Sequence, residues 1–128
     1  MFGMKKHATA RIETLIAAGT RIEGNVYVTG GLHLEGTIIG NVTADPNARS
    51  VLSISPKGVV EGTVEVARVI VHGEVRGDIN ARDKVELGST ARVSGNVSYG
   101  VIEMAAGAVI QGRLVSSAAQ SGPAPQGA

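Results

Sequence analysis

The chain has no cysteine and no tryptophan, one phenylalanine and two tyrosines among 128 residues. Without cysteine neither a disulfide nor a thiolate zinc site can form, and a reducing compartment suits the chain. So few rings exclude a core built on aromatics. No apolar run approaches the roughly 18 residues of a membrane span. A secretory signal is missing as well, because His7, Thr9, Arg11 and Glu13 interrupt the place where an apolar segment of about 7 residues would stand. The formal net charge is only +1. That is too small for a general nucleic-acid or membrane-binding surface. A cytoplasmic protein is the expectation.

What is present is valine, isoleucine, leucine and alanine, together with 18 glycines, about twice ordinary usage. β-Branched residues with frequent glycine favour short strands broken by tight turns. The glycines are not scattered. An apolar residue stands two before and another two after each of six of them, at 24, 40, 62, 77, 95 and 112. The steps are 16, 22, 15, 18 and 17 residues, and a unit of this size that recurs along the chain marks a solenoid.

The column before the glycine reads Ile22, Ile38, Val60, Val75, Val93, Ile110. The column after it reads Val26, Val42, Val64, Ile79, Val97, Leu114. Further apolar pairs two residues apart follow, such as Leu32 with Leu34 and Val85 with Leu87. Spacing of i, i+2 places these side chains on one face of a strand. Three short strands per unit therefore make one coil of a parallel β-helix, with its core inside and rungs about 4.8 Å apart. Units of this length are too short for helix pairs or propeller blades. The marked glycine falls at a corner, where positive φ is common and a Cβ is resisted. Asn25, Asn41, Asp78 and Asn96 follow it, and such residues suit turns. Stacked in register, the asparagines can form ladders. Glu61 should lie one rung from Arg76. The second unit is longer by an excursion around Ala44–Ala48.

The expected organisation is an N-terminal tail over 1–14, an all-β solenoid over 15–115, and a disordered tail over 116–128 that is small, polar and proline-rich. Ile12 to Ala18 reads either as a partial first rung or as a short amphipathic helix. Residues 1–11 admit two readings. One is a frayed terminus. The other is a foot on anionic lipid, with Met1, Phe2 and Met4 inserted and Lys5 and Lys6 at the surface.

No residue pattern carries catalysis. His7, His33 and His72 have no metal-spaced partner. There is no HExxH, P-loop or GxSxG. No metal, cofactor, nucleotide or nucleic acid is expected. The ends are more informative, because a β-helix exposes unpaired backbone and an apolar cross-section there unless it is capped. The first rung offers Leu15, Ile16 and Ile22, and the last offers Val109, Ile110, Leu114 and Val115, with no evident cap. Such edges are templates for pairing with another chain, here a second copy. Repeated stacking gives an open filament.

The run Thr90-Ala91-Arg92-Val93-Ser94-Gly95-Asn96-Val97, followed by Ile102-Glu103-Met104-Ala105-Ala106-Gly107-Ala108, resembles the signature segment of the bactofilins. Ile22-Glu23-Gly24-Asn25-Val26, Glu35-Gly36 and the Met1-Phe2 start with Lys5 and Lys6 resemble that family too. The resemblance implies a right-handed, triangular β-helix of about six rungs in a bacterial cytoskeletal protein that polymerises without nucleotide into non-polar filaments or sheets. It implies binding to the inner face of the cytoplasmic membrane through Met1, Phe2, Met4, Lys5 and Lys6. It also implies a scaffold that localises cell-wall enzymes and helps to set cell shape. A terminal-rung position important for polymerisation falls on Leu114. Phenylalanine is common there in the family, so leucine implies weaker stacking. The alternative, a hexapeptide-repeat acyltransferase, also builds a triangular β-helix with a protruding loop. It would want six-residue periodicity, a histidine near the loop and trimer-clamping helices, all of which are lacking. An ice-binding wall would want one column of threonines, and Thr29, Thr37, Thr43, Thr63 and Thr90 share none.

Overall fold

A computed structural model describes residues 12–45 and 49–116. Within them the chain is all strand and turn, wound as stacked parallel coils with three strand segments each. The first coil holds β1 (Ile12–Ile16), β2 (Arg21–Glu23) and β3 (Val26–Val28). The second holds β4 (Gly30–Leu34), β5 (Thr37–Ile39) and β6 (Val42–Ala44). The third has β7 (Ser50–Ile54), β8 (Val59–Glu61) and the start of β9 (Val64–Val71). The fourth takes the rest of β9, then β10 (Glu74–Arg76) and the start of β11 (Ile79–Leu87). The fifth takes the rest of β11, then β12 (Arg92–Ser94) and the start of β13 (Val97–Met104). The sixth takes the rest of β13, then β14 (Val109–Gln111) and β15 (Leu114–Ser116).

Of the two readings for Ile12 to Ala18, the strand is the one found. β1 pairs with β4, which puts Ile16 level with Leu34 and Leu15 level with His33. From the third coil onward the last strand of one coil runs into the first strand of the next, as the long strands β9, β11 and β13. The register slips between Ala81 and Lys84, where that shared corner turns.

The register stacks like on like. Ile22, Ile38, Val60, Val75, Val93 and Ile110 align across the 6-stranded sheet. Val26, Val42, Val64, Ile79, Val97 and Leu114 align across the neighbouring wall. Leu34, Ile54, Val71 and Leu87 form a third inward column. Their inner members are fully buried. Because every such side chain is aliphatic and β-branched or leucine, the core is a narrow dry column that needs no aromatic filler.

The corner after β2, β5, β8, β10 and β12 shows why glycine recurs. Gly24, Gly40, Gly62, Gly77 and Gly95 have φ between +137° and +154°. A Cβ on Gly40, Gly62, Gly77 or Gly95 would overlap the backbone carbonyl of the corner glycine one coil earlier. At Gly24, in the first coil, a Cβ would meet nothing within 4 Å.

The residue after that glycine forms a ladder of one direction. The Asn25 side-chain carbonyl accepts the Asn41 backbone N–H at 3.0 Å, and Asn41 accepts the Thr63 N–H at 3.0 Å. Asp78 accepts the Asn96 N–H at 2.9 Å, and Asn96 accepts the Arg113 N–H at 3.0 Å. Asparagine and aspartate suit this corner because one side-chain oxygen reaches the next coil's amide.

Candidate functional site

The ends of the stack are where the fold leaves physical requirements unmet. β1, β2 and β3 each have strand partners on one side only, and so do Val101–Met104, β14 and β15. The two ends differ. At the first, Ile16 is buried while Ile22 and Val26 are half-buried. At the last coil the inward columns end on Met104, Ile110 and Leu114, with Met104 46% and Leu114 44% exposed. Large side chains aligned with fully buried neighbours are thus half open to solvent at one end.

The residues expected at the ends fall into two groups. Ile16, Ile22, Ile110 and Leu114 lie in inward columns. Leu15, Val109 and Val115 alternate with them and stand on the outer walls, level with His33, Arg92 and Ser98. Sequence reasoning did not single out Met104 or Ile102 for the last face, nor Val26 for the first. The signal was there, since each closes an apolar column that the i, i+2 pattern already defines. Met1, Phe2, Met4, Lys5 and Lys6 lie outside the described residues.

Ionic contacts tie adjacent coils on two walls. The Arg76 guanidinium donates to Glu74 at 2.7 Å and to Glu61 at 3.0 Å, so the expected neighbour pair is present. Lys84 bridges Glu103 at 3.1 Å and Glu86 at 3.4 Å, and Arg68 reaches Glu86 at 3.5 Å. The hydrogen bond to Glu103 raises the Lys84 pKa above its ordinary value, with Glu86 adding to it. A raised lysine pKa means that the bridge is complete through neutral pH and is lost only as pH climbs past that raised value. These contacts are exposed and serve register more than stability.

The histidines are structural neighbours rather than ligands. His33 contacts the Ser53 hydroxyl at 3.3 Å and Glu35 at 3.3 Å. His72 accepts the Thr90 hydroxyl proton on its backbone carbonyl at 2.5 Å. Among the described residues no three of His, Cys, Asp and Glu are grouped to hold a metal, and no helix is long and apolar enough to cross a membrane. An open groove of about 300 Å³ at the corner between β9 and β11 brings together Glu65, Asn80, Arg82 and Ser98, with no histidine beside the serine.

A regular aliphatic solenoid of this kind, with half-exposed columns at its end, defines a structural β-solenoid. The chain belongs to the bactofilin family, whose family model, described as polymer-forming cytoskeletal, matches residues 14–115. It is accordingly a polymer-forming cytoskeletal protein, of a family that is structural in character. The chain is 31% identical over 110 residues to the bactofilin BacO of Myxococcus xanthus (strain DK1622), covering 86% of this chain and 84% of that protein. It is 33% identical over 89 residues to BacP of the same strain, covering 70% of this chain and 37% of the relative. No solved structure matches the chain.

Proposed function

We propose that the chain assembles end to end through its first and last coils into non-polar filaments, without nucleotide. In this reading its N-terminal residues hold the polymer to the inner face of the cytoplasmic membrane. The polymer there localises cell-wall enzymes and helps to set cell shape. The observation that carries the assembly step is the last coil, where Met104 and Leu114 stay 46% and 44% exposed beside strands with unused hydrogen-bonding edges. A second copy stacked there buries the columns and continues the ladders.

The corner ladder supports joints between like ends. Each coil's Asn or Asp oxygen serves the next coil's amide, and the series closes on Arg113, which has no oxygen to offer. In a head-to-tail joint Arg113 would face the Asn25 amide of the next copy with nothing for it to donate to. Joints that alternate first-to-first and last-to-last avoid that mismatch and give a filament without polarity. The corner glycines pack on one another's carbonyls, which leaves them no room to cradle phosphate.

Purified protein is expected to sediment to the same extent with and without ATP or GTP, and negative-stain microscopy should show filaments in both. A lag or a loss of polymer that nucleotide relieves would refute nucleotide-free assembly. Deleting residues 1–8 should abolish co-sedimentation with anionic liposomes and leave the filaments intact. One tail is weak, at about 1 kcal/mol per lysine, and becomes effective when many are tethered along a polymer. Liposome binding that survives the deletion would remove the membrane role from these residues.

A further inference from the structure

The three outer walls differ in what they present. On the wall built from β3, β6, β15 and the first segments of β9, β11 and β13, the outward column reads Tyr27, Thr43, Glu65, Asn80, Ser98 and Val115. Glu65 is its single charge. The salt bridges described above lie on the other two walls.

We infer that this wall is the face on which a second copy of the chain docks side by side and antiparallel, pairing two filaments laterally. The inference rests on the filament reading above and adds a second contact to it. Its ground is the order of residues along the column. A two-fold axis along the strand direction, between the third and fourth coils, sets coil one opposite coil six, two opposite five, and three opposite four. Tyr27, 62% exposed, then meets Val115, Thr43 meets Ser98, and Glu65 meets Asn80. These are apolar on apolar, hydroxyl on hydroxyl, and a carboxylate on an amide that donates to it. The adjoining corner follows the same rule, with Asn41 facing Asn96 and Thr63 facing Asp78. Parallel, in-register docking would instead set Glu65 against Glu65, a like-charge contact.

The other walls fail the same operation. On one, Leu15 would face Glu103 and Ser53 would face Ile70. On the other, Arg21 would face Val109 and Val59 would face Glu74. Apolar groups would be set against charges at several levels.

Size explains when the contact operates. Three residues across and six coils along give a strip of about 10 by 29 Å, or about 300 Å² on each partner. A standard stable interface buries about 800 Å² on each side. One pair of subunits is too small a contact, whereas two filaments repeat it along their length. Lateral pairing therefore follows end-to-end growth.

The absence of cysteine makes the test clean, because introduced thiols are the only ones. The double variant Thr43→Cys, Ser98→Cys is polymerised and treated with a bismaleimide whose reach is shorter than two coil rises, about 10 Å. Antiparallel docking predicts covalent dimers from the double variant and none from either single variant, since Thr43 and Ser98 of one chain stand three coils, about 14 Å, apart. Dimers from Thr43→Cys alone would mean parallel docking and overturn the inference. So would a double variant that sediments as polymer yet does not cross-link. An unsubstituted chain that never sediments would sink the assembly reading and this inference together. A charge test guards against thiol artefacts. Asn80→Glu should leave single filaments in the microscope, and Glu65→Lys combined with Asn80→Glu should restore pairs. If the single change left pairing intact, or the double change failed to restore it, the docking geometry would be wrong.

Discussion

Replacing Leu114 with arginine yields a folded protein that no longer sediments as polymer. Leu114 closes a column whose inner members are fully buried, but is itself 44% exposed. A guanidinium there meets water in the free subunit, so the fold is retained. In an end-to-end joint the same group must leave water with no carboxylate on the end-face columns to receive it. Several kcal/mol of uncompensated desolvation follow. Taking about 4 kcal/mol, the concentration needed for assembly rises roughly a thousandfold. High-speed sedimentation against protein concentration measures this directly. An unchanged far-UV spectrum and thermal midpoint, relative to a dilute wild-type sample, show that assembly rather than folding was lost. A variant that pellets as readily as wild type would place the end contact elsewhere.

Replacing Gly77 with alanine should have the largest effect on the fold. Its φ is +154°, and a Cβ would overlap the Gly62 carbonyl one coil below. Backbone strain costs about 1–3 kcal/mol, and forcing two coils apart adds about 1–3 kcal/mol. A loss of about 3–5 kcal/mol consumes much of the stability of a small domain. Gly24→Ala separates the two contributions. It has the same kind of backbone, with φ +137°, but nothing within 4 Å of an added Cβ. It should lose only the strain, about 1–3 kcal/mol. Urea unfolding in the Leu114→Arg background compares both without assembly, because polymer formation would itself stabilise the folded state. Equal losses at the two positions would show that the stacked carbonyl contributes nothing.

These effects rest on features that differ in how readable they are from residues. The inward columns are legible because aliphatic alternation has a single parity that repeats through six units. The corner glycines are legible for the same reason, as they recur in phase with those columns. What alternation does not settle is which of two adjacent apolar residues faces inward where a column has no flanking copies. Leu15 and Ile16 are equivalent by composition, and only the pairing of β1 with β4 turns Ile16 in and Leu15 out. Val109 and Val115 are apolar yet stand on the walls, because Ile110 and Leu114 already occupy the inward phase. The corner ladder was expected from stacked asparagines. Its form differs, since each side-chain oxygen serves a backbone amide one coil onward rather than another side chain. That sense along the chain is a matter of three-dimensional geometry, and no spacing in the sequence encodes it. The contact of His33 with Ser53, twenty residues away, likewise depends on coil length.

The long second unit has a consequence of its own. Glycine-to-glycine steps run from 15 to 22 residues, yet the strands on either side of the longest step keep the same parallel register. All the surplus chain leaves sideways at one corner. Distance along the axis therefore does not depend on how many residues a coil contains. Such a subunit behaves as a ruler with fixed graduations, and lengthening that corner would alter what projects from it without moving any mark.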